Sequence, residues 1–328
     1  MPTWGQILNE INGLVQAGDQ AAFDTVRKKY VAELAAFTGR DLIIYVSRWT
    51  QADSPPQLTM INDEDVQGFM EAVNGLRTEN LDIMLHTPGG SAESTDAIVS
   101  YLRQKFKHIR IIIPQAAMSA GTMFACAADE IIMAKHSSIG PIDPQMVLQT
   151  PLGVQAIAAH AITEQFERAQ KEISANPAVL SSWLPMLNQY GPALLIQCKN
   201  QIEFGKQLVQ NWLDNYMFKN DTAKLGMKIS EYLSHHGNFK THCKHLNTEA
   251  AKALGLKIIE LEQQAELQEK VLSVFHACLL TFNLPQPVKI ICNHVGNAFV
   301  KQKPLQMPFG LMQGQPGPIA PQPSRPGQ

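Results

Sequence analysis

The chain has 328 residues, 45% of them hydrophobic, with 27 basic and 29 acidic side chains and a formal net charge of -2. That apolar content supports a sizeable core and excludes a largely disordered chain, while the near balance of charge leaves no field to draw in nucleic acid or anionic lipid. The 5 cysteines are scattered without a CxxC pair, the start of the chain lacks the pattern of a signal peptide, and no apolar run is long enough to span a membrane, so a soluble cytoplasmic protein is expected.

In chain order, Leu8, Ile11, Leu14 and Val15, then Phe23, Val26, Tyr30 and Leu34, recur at three and four, which predicts two helices broken near Gly18 and Asp19. Residues 41–49 contain the β-branched run Leu-Ile-Ile-Tyr-Val and read as a buried strand, and 62–76 as a helix with Val66, Phe69, Met70 and Val73 on one face. A strand at 81–86, a helix at 91–106, a strand at 109–114, a helix opening near Ser119 and a strand at 130–134 continue the alternation. Near-continuous apolar strands of this kind argue for α/β layers around a largely parallel sheet, with functional residues in the loops at strand ends.

Beyond Pro151 the pattern predicts helices over 154–174, 177–188, 192–218 and 221–233, then a short helix at 247–254 stopped by Gly255. Residues 262–282 read as a further helix. Residues 288–300 fit either a strand pair turning at 293–296 or an oligomer contact. From Met307 onward Pro, Gly and Gln dominate, and a disordered tail is expected.

Two corners carry the chemistry. Residues 85–91, Leu-His-Thr-Pro-Gly-Gly-Ser, run from a buried strand through two glycines into a helix, where backbone N–H groups can face a developing negative charge. Alone, this is equally a tight connection. Residues 117–123, Ala-Met-Ser-Ala-Gly-Thr-Met, place Ser119 at a strand-to-helix corner, where a serine is either an exposed nucleophile or an N-cap.

With TPGG after a strand, AMSAGT, AADEIIM and SSIGPIDPQ in that order, and a later KTH and TEAAKALGL, the chain resembles the ClpP/crotonase superfamily. Within it, the chain is most similar to the serine dehydrogenase proteinase family related to signal peptide peptidase A. The resemblance implies a ββα spiral, to which the periodicity adds an N-terminal helical cap and a largely helical C-terminal half. Together these readings divide the chain into a cap (1–40), a peptidase domain (41–260), a helix and possible strand extension (261–306) and the tail (307–328). The resemblance further implies a homo-oligomer acting on protein or peptide substrates, with no cofactor and no metal. Carried over by motif, Ser119 is the nucleophile, and Gly89, Gly90 and Ala120 are the oxyanion donors.

The base is less direct. ClpP places a histidine after the strand following its nucleophile, but that region here offers Asp143. The signal peptide peptidase A relatives use a lysine, and Lys171 lies at a similar spacing, so a Ser-Lys dyad is expected ahead of a Ser-His-Asp triad. Glu164 and Glu167 neighbour Lys171 at helical spacing and favour its charged form, against its use as a base. Lys135, Lys199, Lys206, His136 and His160 are substitutes. His235, His236, His242, Cys243 and His245 crowd one stretch, but their spacing matches no strong zinc signature, and His242 reads as a residue lining the site. An acyl-CoA enzyme of the crotonase kind and a non-catalytic scaffold that binds protein partners are the competing readings.

Overall fold

The computed structural model describes residues 3–150, 153–219 and 222–304, so the expected tail from 307 lies outside the described residues. The strands are β1 (Asp41–Ser47), β2 (Asn80–His86), β3 (His108–Ile113), β4 (Ala116–Ala117), β5 (Glu130–Met133), β6 (Ser138–Ile139), β7 (Gln145–Thr150), β8 (Gly153–Ala158), β9 (Leu246–Asn247), β10 (Ile258–Glu260), β11 (Pro287–Asn293) and β12 (Ala298–Gln302). The main sheet has the order β10-β5-β3-β2-β1-β11-β12; β11 and β12 run antiparallel to their neighbours and the other pairs are parallel.

Alternation along the strands separates two apolar layers, because successive side chains leave opposite faces of a sheet. Ile43, Tyr45, Ile83, Leu85, Ile111, Ile113 and Ile131 face one layer, which is covered by helices Glu64–Val73, Ala92–Lys105, Ala120–Cys126 and Leu194–Asn215. Leu42, Ile44, Val46, Met84, Ile112 and Ile132 face the other, which is covered by Trp4–Gln16, Ala22–Thr38 and Ala265–Thr281. The N-terminal helices and the late helix at 265–281 therefore build a single layer over the sheet.

β2, β3 and β5 each run on into a short extension outside the main sheet, namely Thr87, β4 and β6. β4 pairs with β6 in parallel, and β6 pairs with β9 antiparallel, giving a second small sheet in the order β4-β6-β9. Strand, extension and helix then repeat as a ββα spiral. Residues 288–300 form the strand pair, β11 with β12, and β11 joins β1 in the main sheet.

The region from 154 corrects the expected helix. β7 and β8 form a hairpin, and the helix starts only at Ala159 and runs to Ala175. Val154 and Ala156 share the exposed face of β8, a two-residue period that short apolar spacing disguises as a helix start.

Candidate active site

Four segments converge where the extensions leave the sheet. Thr87, just after β2, bridges Ala117 of β4: its N–H donates to Ala116 O at 3.1 Å and its carbonyl accepts Met118 N–H at 3.0 Å. The Gly89-Gly90 turn and the Ser119 corner therefore emerge side by side. A Cβ on Gly89 would lie 2.6 Å from Met118 O, 2.7 Å from Ser119 Cβ and 3.0 Å from Ala120 N, so only glycine permits this approach.

Ser119 has φ 50° and ψ -118°, a backbone conformation that non-glycine residues rarely adopt. Its hydroxyl does not cap the helix that follows, which removes the N-cap reading. The strained backbone and the missing capping bond set this corner apart from an ordinary helix start. Beside it, the N–H groups of Gly90 and Ala120 meet no protein acceptor among the described residues. The Gly89 N–H differs from the expectation for a donor, because it is already bonded to Thr87 Oγ1 at 3.2 Å.

The small sheet then brings in Asp143 and the histidines. Ala117 of β4 pairs with Ile139 of β6, and Ile139 pairs with Leu246 of β9, so the segment leading to Asp143 adjoins the strand before Ser119 and the loop before Leu246 lies one strand further out. The Asp143 carboxylate is fully buried, and each of its oxygens faces a histidine: Oδ1 lies 2.7 Å from His242 Nδ1, and Oδ2 lies 3.0 Å from His236 Nδ1. Gln145 Nε2 donates to Oδ2 at 3.2 Å. A neutral imidazole that donates to a carboxylate through Nδ1 keeps Nε2 as a lone-pair acceptor, and both histidines present Nδ1 to Asp143. The neighbouring His160 is held below the ordinary histidine range by burial and by the adjacent His235.

Lys171 is exposed on helix Ala159–Ala175. That helix starts against Pro144 and passes His160, and at 1.5 Å per residue Lys171 stands about 16 Å further along its axis. Lys135, Lys199 and His136 are exposed, and Lys206 is paired with Glu203 at 3.2 Å. In the histidine-rich stretch, Cys243 is exposed and His245 Nδ1 lies 2.6 Å from Ser138 Oγ, so these ligand types point to different partners. His236 is the residue that sequence reasoning left out of the site. Its only signal was its place in the histidine cluster.

A family model described as ClpP-like SDH-type serine proteinase matches residues 27–275. Two uncharacterized proteins of Methanocaldococcus jannaschii are similar, at 35% identity over 127 residues and 36% over 92 residues, covering 38% and 28% of this chain. The matched stretches span 40% and 32% of those relatives' own lengths. Among solved structures, a mutant of a membrane-bound stomatin-specific protease is 19% identical with a TM-score of 0.38, covering 64% of this chain and 79% of that one. A ClpP1 mutant from Listeria monocytogenes is 16% identical with a TM-score of 0.32, covering 63% and 90%. No helix among the described residues is long and apolar enough to cross a membrane. The family match extends over most of the chain, and this protein belongs to the ClpP-like SDH-type serine proteinases.

Proposed function

We propose that the chain is a serine peptidase that cleaves peptide bonds through an acyl-enzyme on Ser119. The observation that carries this reading is the strained, uncapped Ser119 corner seated against the glycine turn. Ser119 Oγ attacks the peptide carbonyl carbon while its proton passes to His242 Nε2, and Asp143 holds the imidazole in the tautomer that can accept it. The carbonyl oxygen becomes an oxyanion between the N–H groups of Gly90 and Ala120. Collapse expels the amine, which takes the proton from His242, and water then enters by the same route to release the acid.

This reading departs from the expected Ser-Lys dyad. A lysine base must be desolvated or sit beside another cation to lose its proton near neutral pH, and Lys171 is exposed. The buried Asp143 with its histidine supplies a base without that requirement. An acyl-CoA enzyme of the crotonase kind would use the two amides but would not need a strained serine, and a pure scaffold would need neither. The hairpin β7-β8 carries Val147 and Val154 at 71% and 69% exposure, which suits assembly into a homo-oligomer acting on cytoplasmic protein or peptide substrates.

Ser119→Ala in the full chain tests the function. Hydrolysis of fluorescein-labelled casein is expected to fall to background in a variant that keeps its fold, and unchanged hydrolysis would discard the assignment.

A further inference from the structure

A fully buried ion pair lies behind the glycine turn. Lys289 of β11 and Asp65 of helix Glu64–Val73 are both inaccessible, with Lys289 Nζ 2.8 Å from Asp65 Oδ1 and 2.7 Å from Oδ2. Across the hairpin, Lys289 is in register with Lys301, which pairs with Glu64 at 2.7 Å. Two lysines facing each other across strands, beside a desolvated carboxylate, are a poor source of stability, since desolvation offsets most of the attraction. What the cluster does is fix geometry. Its two lysines lie on strands β11 and β12, outside the residues matched by the family model, and its two carboxylates lie within them.

Two routes run from this pair to the turn. By the first, Lys289 Nζ also donates to Met60 O at 2.7 Å, and Asp65 Oδ2 accepts the Asn62 N–H at 3.1 Å, so Ile61 is clamped on both sides. The Ile61 N–H donates to Gly89 O at 2.8 Å, and Ile61 O accepts the Ser91 N–H at 3.0 Å. By the second, Tyr45 Oη donates to Asp65 Oδ2 at 2.8 Å and also interacts with the Thr87 hydroxyl, which accepts the Gly89 N–H. Once Gly89 O is bound to Ile61, the planar trans peptide turns the Gly90 N–H to the opposite side, away from Ile61. A glycine pair has little intrinsic resistance to flipping this peptide, and the flipped form would present a carbonyl where the donor stood.

We infer that the Lys289–Asp65 pair is a positioning device that locks the Gly89-Gly90 peptide with its N–H facing the Ser119 corner. This rests on the peptidase reading above and assigns an oxyanion-positioning role to the C-terminal hairpin. Neither residue touches substrate.

The test is a double variant, Lys289→Met with Asp65→Leu, which removes both charges together and avoids stranding one of them. Full-length wild type and variant are treated with a fluorophosphonate, which needs the same two amides for its phosphoryl oxygen. The inactivation rate constant is expected to fall about 100-fold, as when one oxyanion donor is lost, while the half-saturating probe concentration changes by less than about threefold. The acid side of the pH-rate profile, which reports the His242 base, is expected to keep its shape. Tyr45→Phe cuts only the second route, and a loss of about 10-fold is expected for it.

A folded double variant that reacts at the wild-type rate overturns the inference, and so does a wild-type rate in Tyr45→Phe should the double variant not fold. A changed pH profile at an unchanged rate constant also overturns it. Absence of any Ser119 adduct on the wild type would instead overturn the peptidase reading.

Discussion

Replacing Gly89 with alanine tests the contact on which the site depends. The new methyl would sit 2.6 Å from Met118 O and 2.7 Å from Ser119 Cβ, against an ordinary separation of about 3.5 Å, so the serine corner must retreat by roughly 1 Å. Gly89 also has φ +101°, where an L-residue is strained by about 1–2 kcal/mol. Overpacking adds about 1–3 kcal/mol, and a displacement of this size at a nucleophile costs about 100-fold in rate. Gly255→Ala is the control. Gly255 has φ +98°, but its added methyl meets only Leu225 Cδ2 at 3.7 Å, so it carries the strain without the clash. Casein hydrolysis and urea unfolding of both variants separate the effects: Gly255→Ala should lose about 1–2 kcal/mol of stability and keep its rate, and Gly89→Ala should lose both. A folded Gly89→Ala with the wild-type rate would show that the two corners do not share one site.

His242→Ala should reduce casein hydrolysis by at least about a thousand-fold with little change in substrate affinity, because the base acts only in the chemical step. Lys171→Ala should leave hydrolysis within about twofold of wild type, as for a solvated surface lysine, and a collapse of activity there would reinstate the lysine dyad. Burial holds His86 down at about 4 from the ordinary 6.5. The unfolded chain therefore binds the extra proton between these values, and folding stability should fall as pH drops through that window, by on the order of 3 kcal/mol in total. Urea midpoints between pH 7 and pH 4 check this, and His86→Leu should flatten the dependence.

The main sheet was legible because β1, β2, β3 and β5 are short, β-branched and buried on both faces, a pattern with few other uses. The two site corners were legible because glycine and a corner serine are local signals. The hairpin β7-β8 was missed because it lies apart from the main sheet and its apolar residues run on into the helix from Ala159. Asp143 was singled out, but its engagement by His236 and His242, at separations of 93 and 99 residues, is written in topology and has no local pattern. The same holds for Lys289 and Asp65, 224 residues apart, whose pairing depends on where the last hairpin joins the sheet.

The most direct test of the central claim is to react the full-length protein with a fluorophosphonate and locate the adduct by peptide mass spectrometry. One adduct per chain on Ser119, lost in His242→Ala and kept in Lys171→Ala, is the predicted result. No adduct, or one on another serine, would contradict it.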